Sequence, residues 1–278
     1  MSCLAYLLSA CQRRARSLAV AACFALLGPL SVVSTPLRAE AVDLELILAV
    51  DVSLSVSSQE YALQMDGLAR AFRHDSVIAA IEGLGDAGIS VSLVQWGNVG
   101  RQKVAIGWRP VKDRVSALAM SQAIGATSRI FAGSGTAIAD VMLFSLPLFE
   151  ANPYKGRRRT IDISGDGPDN RSSAPQMVRD FIVKTGVTVN GLAILNEDPI
   201  LEVYYRNYVI GGPGAFVLAA NGYDEFYEAI VRKLVREISG QLISDGAGER
   251  QGVRVAAAPQ AARRNDMELS GKEAKARP

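Results

Sequence analysis

Between residues 42 and 245 the chain alternates short apolar runs with longer segments in which apolar residues recur at helical spacing. The first run, 44–50, is almost continuously apolar, which is typical of a strand covered on both faces. Further strand patterns occupy 89–96, 159–164, 187–195 and 215–220. Because most of them are followed by a helical pattern, we predict a three-layer, doubly wound α/β fold with a mostly parallel sheet.

One pair of strands departs from this scheme. Val104, Ile106 and Trp108 alternate as in a strand, only a few positions after the run at 89–96. A parallel crossover needs a dozen or more residues, so we predict an antiparallel hairpin and one antiparallel edge strand. Ser57 and Glu60 form a capping box that begins the first helix. Further helices are predicted near 115–124, 137–149, 175–184 and 224–238.

The first 41 residues have the layout of a secretory signal peptide. Three arginines precede a mostly apolar run at 17–33, and residues 39–41 (Ala-Glu-Ala) provide a small-residue cleavage site. A glycine and two prolines interrupt the segment, which disfavours the alternative of an uncleaved membrane anchor. We therefore expect export to the periplasm or the cell exterior, with no stable membrane insertion after cleavage of residues 1–41.

The composition of the mature chain excludes cysteine-based sites and does not favour nucleic-acid binding. All three cysteines lie in the leader, so the mature protein would have no cysteine nucleophile, thiolate metal site or disulfide. The leader also holds four of the 30 basic and one of the 28 acidic residues, which leaves a net charge of about −1. That balance gives no electrostatic support for nucleic-acid binding. Residues 246–278 are rich in Ala, Arg, Gly and Lys, and we predict a flexible tail there, after a single domain at 42–245.

Candidate chemistry begins where the first strand ends. The chain reads Asp51-Val52-Ser53-Leu54-Ser55, and in a strand leading into a loop Asp51, Ser53 and Ser55 can project their oxygens to one side. One carboxylate and two hydroxyls form a hard, oxygen-only ligand set, suited to Mg²⁺, Mn²⁺ or Ca²⁺ and poorly suited to zinc. The position at the carboxyl end of a strand is where open α/β sheets bind ligands.

Two further segments fit the same site. A glycine-rich loop at 133–137 opens a helix and can deliver the hydroxyl of Thr136, and the segment after the strand at 159–164 can deliver the carboxylate of Asp166. Taken singly, residues such as Ser55 and Thr136 also suit helix caps and turns. The coincidence of three such segments favours a metal site.

These three segments, in this order, resemble the metal-ion-dependent adhesion site of von Willebrand factor type A (vWA) domains. The likeness covers about residues 42–238 and is closest to an uncharacterised family of secreted proteobacterial proteins with a variant vWA domain. It implies that Ser53, Ser55 and Thr136 contact the cation directly, while Asp51 and Asp166 hold it partly through water. It also implies an open coordination position that an acidic side chain of a protein partner completes.

The third segment departs from the family pattern. vWA domains usually pass from the strand almost directly into an Asp-Gly pair. Here the strand holds Asp162, and Gly165 is inserted before Asp166-Gly167. Asp166 is therefore expected to sit differently, and Asp169 is a candidate for part of its role.

Two other functions fit parts of the pattern. A phosphatase of the haloacid-dehalogenase type would use Asp51 as nucleophile and residues 165–170 as its acidic metal loop, but it needs a carboxylate where this chain has Ser53. A vWA-like scaffold with a vestigial metal site is the other alternative, because of the inserted glycine. Our interpretation is a monomeric, non-enzymatic binding module that uses a divalent cation to grip a carboxylate on a protein partner.

A second candidate surface, the cluster of Tyr204, Tyr205 and Tyr208, is interpreted as a helix packed on the core.

Overall fold

The computed structural model of the protein describes residues 39–131, 133, 135–171 and 174–240. They form one six-stranded sheet in the order β3-β2-β1-β4-β5-β6. All neighbouring strands pair in parallel except β2 and β3, which form an antiparallel hairpin at the edge. The strands are β1 Glu40–Asp51, β2 Ile89–Trp96, β3 Gln102–Val111, β4 Tyr154–Gly165, β5 Val187–Ile194 and β6 Val217–Ala220.

Helices cover both faces of this sheet. They are α1 Ser58–Ala71, α2 Asp75–Glu82, α3 Arg114–Gly125, α4 Ile138–Ser145, α5 Pro175–Lys184, the single turn α6 Leu201–Tyr204 and α7 Phe226–Ser239. Short 3₁₀ turns occupy Gly85–Ala87 and Leu146–Phe149, and a π-helical turn, Tyr205–Val209, follows α6 directly. The predicted three-layer α/β fold with one antiparallel edge strand is confirmed.

The central strand β1 explains why the sheet is covered on both faces. Its even-numbered residues from Leu44 to Val50 pack into a core with α1, α2, α3 and α7, while Ile47 and Ala49 pack on the other face with α4 and α5. A strand that is buried on both faces has no polar positions to alternate, which accounts for its continuous apolar sequence.

Two elements differ from the sequence-based expectation. Strand β4 begins at Tyr154, five residues before the predicted start, because its polar amino-terminal half is stabilised by charge rather than by apolar packing. Arg158 pairs with the buried Asp43 at 2.6 Å, and Arg159 pairs with the buried Glu45 at 3.2 Å. The predicted helix at 137–149 is divided, since Pro147 turns its last residues into a 3₁₀ turn.

The predicted leader and tail lie almost wholly outside the described residues. Only positions 39–41 of the leader are described, and strand β1 already includes Glu40. Among the helices of the described ranges, none combines the length and apolarity needed to span a bilayer.

Candidate metal centre

The predicted site residues follow two neighbouring strands. Asp51 is the last residue of β1, and Asp166 follows directly after β4. The two strands pair in parallel with Val50 opposite Ser164, so both chains leave the sheet at the same edge. This register brings the Asp51–Ser55 segment and Asp166 together, as the spacing of the motifs predicts.

Asp51 is fully buried, and its two carboxylate oxygens differ in their surroundings. Oδ1 accepts a hydrogen bond from the backbone N–H of Ser53 at 2.7 Å. Oδ2 has no hydrogen-bond partner among the described residues. Burial and, next, the negative charge of Asp166 raise the pKa of Asp51 to about 7. A buried oxygen without a partner is costly, so Oδ2 is poised to accept a bond from a bound group.

A chain of hydroxyl groups connects the first loop with Asp166. The Ser53 and Ser55 hydroxyls lie 3.0 Å apart, and the Ser55 hydroxyl donates to Asp166 Oδ1 at 2.9 Å. Asp166 Oδ2 accepts from the Tyr223 hydroxyl at 3.2 Å. Burial raises the pKa of Asp166, while the bonds from Ser55 and Tyr223 act in the opposite direction. The inserted Gly165 therefore does not remove Asp166 from the site.

Thr136 is held against the loop that carries Asp166. Its backbone N–H donates to Asn170 Oδ1 at 3.0 Å, and the N–H of Asn170 donates back to the Thr136 carbonyl at 3.0 Å. The Thr136 hydroxyl lies 3.9 Å from the position that a Cβ on Gly167 would take. Four of the five predicted residues are linked through hydrogen bonds, and Thr136 borders them from the second loop.

Asp169, the candidate for part of Asp166's role, lies in the loop beside Thr136. Its Oδ2 accepts from the backbone N–H of Ala139 at 3.0 Å, at the beginning of α4, and its Oδ1 accepts from the N–H of Arg171 at 3.0 Å. Its own N–H donates to the Tyr204 hydroxyl at 3.2 Å. Asp169 thus caps α4 and fixes the loop beside Thr136.

The inserted glycine is required by the packing behind Asp51. A Cβ on Gly165 would lie 2.9 Å from the Tyr205 hydroxyl, closer than Cβ atoms normally approach other atoms, and 3.1 Å from Asp51 Oδ2, a tight contact that needs a small shift of the neighbour. Tyr205 itself is fully buried in the π-helical turn, and its hydroxyl finds no partner within the described chain. Asp162 is not part of the site, because it forms an ion pair with the buried Lys233 at 2.7 Å.

Sequence reasoning missed two side chains that contact the site. Tyr223 follows β6 and donates to Asp166, and Arg129 donates through Nη2 to the carbonyls of Val52 and Ser53 at 2.8 and 2.6 Å. The only feature of the sequence that could have identified Tyr223 and Arg129 is their position, since each lies in a loop at the carboxyl edge of the sheet. Pairing across such distances in sequence is not visible in a local motif.

The donor set fits a hard divalent cation. The described residues contain no group of three or more His, Cys, Asp or Glu side chains arranged around a metal position. What they offer instead is two carboxylates with the hydroxyls of Ser53, Ser55 and Thr136, which is an all-oxygen set. The unpartnered Oδ2 of Asp51 is the buried atom that such an ion or its water would satisfy.

Most of the chain matches one protein family. A family described as "Protein of unknown function (DUF1194)" matches residues 41–242. The chain belongs to this family. The DUF1194 domain of this chain has the vWA fold. No curated protein sequence matches it.

Several solved structures share this fold but belong to longer chains. Proximal thread matrix protein 1 (PTMP1) from the mussel byssus matches with a TM-score of 0.51 and 16% identity, over 72% of this chain and 49% of PTMP1. A PTMP1 structure described as having a zinc-occupied MIDAS motif matches with a TM-score of 0.50 and 16% identity, over 72% and 48%. The pilus adhesin SpaC from Lactobacillus rhamnosus GG matches with a TM-score of 0.52 and 14% identity, over 71% and 31%. The DUF1194 chain therefore spans about half the length of PTMP1 and about a third of SpaC, and the likeness concerns the fold.

Proposed function

We propose that this DUF1194 chain is a binding module that holds one divalent cation and uses it to grip a carboxylate on a protein partner. The observation that carries the proposal is that hydrogen bonds join Asp51, Ser53, Ser55 and Asp166 at one edge of the sheet, while the second carboxylate oxygen of Asp51 is buried without a partner among the described residues. The zinc-occupied MIDAS motif of PTMP1, a protein with the same fold, supports a divalent metal at this edge of the sheet.

Each residue of the site would have a distinct task. The hydroxyls of Ser53, Ser55 and Thr136 would contact the cation, and Asp51 and Asp166 would hold it partly through water. Tyr223 fixes Asp166, and Arg129 fixes the backbone of Val52 and Ser53. The cation, Mg²⁺ or else Mn²⁺ or Ca²⁺, supplies positive charge and an open coordination position for the partner's carboxylate.

We further propose that the protein acts in the periplasm or outside the cell, as a monomer, after removal of its leader. The arginines, apolar run and small-residue exit of residues 1–41 support export. The balanced charge of the remaining chain favours a protein partner over nucleic acid.

Catalysis is not part of the proposal. A phosphatase that uses Asp51 as nucleophile needs a carboxylate two residues later as general acid, and Ser53 stands there. The Ser53 hydroxyl lies 3.0 Å from that of Ser55. A hydroxyl in this position suits metal coordination better than proton transfer near neutral pH.

Calorimetric titration tests the metal site. The chain from residue 39 onward is titrated with Mg²⁺, Mn²⁺, Ca²⁺ and Zn²⁺, alongside Asp51→Asn and, as a matched control, Asp66→Asn on the exposed face of α1. We expect one saturable site in the parent and in Asp66→Asn, and at least a ten-fold loss of affinity in Asp51→Asn. A folded parent that takes up no cation would leave a vWA scaffold with a vestigial site. Metal-dependent hydrolysis of a phosphate ester would replace the proposal with the phosphatase.

A further inference from the structure

Apart from the carboxylates of the site and the neighbouring Asp140 and Asp169, the charged residues at the carboxyl edge of the sheet are separated by sign across the candidate metal centre. The β2 side holds arginines: Arg101 lies in the β2–β3 turn, Arg129 contacts the first loop, and Arg171 packs against Gly135 beside Asn98. The loops after β5 and β6, at 195–200 and 221–225, contain acidic residues and no basic one. The acidic side consists of Glu60, Glu197, Asp198, Asp224 and Glu225.

Glu60 belongs to the acidic side because of its contacts. Its Oε1 accepts from Asn196 Nδ2 at 2.9 Å, which joins the beginning of α1 to the loop after β5. On the other side of the candidate metal centre, the segments 97–101 and 127–136, which carry Arg101 and Arg129, contain no acidic residue. Since the strand order is β2-β1-β4-β5-β6, the site between β1 and β4 lies at the boundary of the two charge signs.

Most of these charges have no close counter-charge within the described residues; the exceptions are Arg129, whose charge acts on the buried Asp51, and Glu225, on which Arg232 acts. Within the described ranges, no ion pair includes any of these three arginines or five acids. The amino edge of the sheet is different, because there Asp43 pairs with Arg158, Glu45 with Arg159 and Glu40 with Lys112. Charged residues are therefore joined in salt bridges at the amino edge, whereas these eight residues at the edge that carries the site form none within the described ranges.

Apolar side chains lie beside the same loops. Leu54, between Ser53 and Ser55, is 66% exposed, and Val99 in the β2–β3 turn is 56% exposed. Ile130, next to Arg129, is 36% exposed. An edge that combines apolar contacts with separated, unpaired charge has the features of a protein-recognition surface.

We infer that the partner of this site is a charge-polarised peptide segment that crosses the edge in one orientation. The acidic end of the peptide lies over the arginine side, and its basic end lies over the acidic side. At its centre, a carboxylate meets the candidate metal centre, and a neighbouring apolar side chain of the peptide faces Leu54. The inference rests on the proposed function and specifies the class of partner. Each rim charge contributes little alone, but several of one sign together select orientation and accelerate association.

Two synthetic peptides of identical composition test the inference. The segregated peptide carries three glutamates, a Gly-Leu-Asp-Gly centre and three lysines; the mixed peptide keeps the centre and alternates the charges. Fluorescence anisotropy with the Mg²⁺-loaded chain at low ionic strength is expected to show about ten-fold tighter binding of the segregated peptide, from several rim pairs acting together. EDTA is expected to weaken both.

Charge reversal shows where the preference arises. Arg101→Glu combined with Arg171→Glu is expected to abolish the preference. Lys155→Glu combined with Lys184→Glu, which changes the net charge equally at exposed positions away from this edge, is expected to retain it. Equal affinity for both peptides, a preference that survives the arginine reversal, or no peptide binding by metal-loaded chain would each overturn the inference while leaving the metal site intact. Failure of the proposed function shows separately, as absence of Mg²⁺ uptake in calorimetry.

Discussion

Gly165 is one residue more than the vWA pattern has at this point, yet Asp166 keeps its contacts in the candidate site. The extra position lets β4 continue to Gly165 while Asp166 still reaches Ser55 and Tyr223. Behind it, the Tyr205 hydroxyl and Asp51 Oδ2 both face the space that a side chain at 165 would fill. Burial also raises the pKa of Tyr205, so its hydroxyl stays protonated near neutral pH.

Replacing Gly165 by alanine is therefore expected to destabilise the protein by about 1–3 kcal/mol, because the new methyl group overpacks the space beside Asp51. Urea denaturation measures the loss. Gly107→Ala on β3 is the control, since a Cβ there meets nothing within 4 Å. Equal effects of the two substitutions would contradict the packing argument, and weakened metal binding in Gly165→Ala would accompany the shift of Asp51.

At the scale of elements, a buried ionic cluster joins β4 and α7. Lys233 lies 2.7 Å from Asp162 and 2.6 Å from Glu237, and Glu237 also accepts from Asn190 Nδ2 of β5 at 2.9 Å. All of these side chains are buried. One cation thus serves two acids, and removing it would leave both without compensation.

Lys233→Met is accordingly expected to lower the free energy of unfolding by about 3–5 kcal/mol, the usual cost of an uncompensated buried charge. The exposed pair of Arg114 with Asp75 provides a matched control, and Arg114→Met is expected to change the free energy of unfolding far less than Lys233→Met. Chemical denaturation at pH 8 compares the two. A small effect of Lys233→Met would mean that the cluster is hydrated or neutral.

The same cluster predicts how stability depends on pH. Burial, then the charge of Glu237, raise the pKa of Asp162 despite the opposing Lys233. The folded state therefore keeps a proton that the unfolded chain has already released, so stability is expected to fall as pH rises from about 4 towards about 7. Denaturation in EDTA is expected to show a shallower fall in Asp162→Asn, with the remainder due to Asp51, Asp166 and Asp140, whose pKa values are also raised. A parent stability that rises through this window would contradict the assignment.

Helices and strands with a local sequence signature could be predicted from the sequence. Segments that are stabilised by residues far away in the sequence could not. The strand at Ile89–Trp96 and the helix at Pro175–Lys184 coincide with their predicted bounds, because apolar periodicity and a helix-starting proline mark them. The amino-terminal half of β4 was missed because its arginines are matched by acids on β1, more than a hundred residues earlier. Helix α2 was not separately predicted either.

At the scale of the molecule, cation binding is expected to stabilise the whole fold, since the site joins loops from both halves of the sheet. Mg²⁺ at about a hundred times its dissociation constant adds about 2.7 kcal/mol to the free energy of unfolding. Thermal melts should therefore show a higher Tm with Mg²⁺ than with EDTA, and a smaller difference in Asp51→Asn at the same Mg²⁺ concentration. An unchanged Tm under saturating Mg²⁺ would contradict binding to the native state.

Topology also explains which parts of the site the sequence reveals. Asp51, Ser53, Ser55 and Asp166 follow the ends of β1 and β4, so the parallel pairing of these strands predicts their common edge. Thr136 stands in a glycine-rich motif at the beginning of α4. Arg129, Tyr205 and Tyr223 belong to no motif, and only the packed structure places them beside the loops. The charge zones at the same edge likewise depend on strand order rather than on any local pattern.

Within the described residues, hydrogen bonds between protein groups tie the loops of the site together. Asn170 exchanges two hydrogen bonds with Thr136, Asp169 caps α4, and Asp51 binds the N–H of Ser53. The conformational entropy of ordering these loops is therefore lost during folding and not during ion capture. Ion binding should consequently be rapid, limited by the release of water from the ion, and favoured by the entropy of that released water.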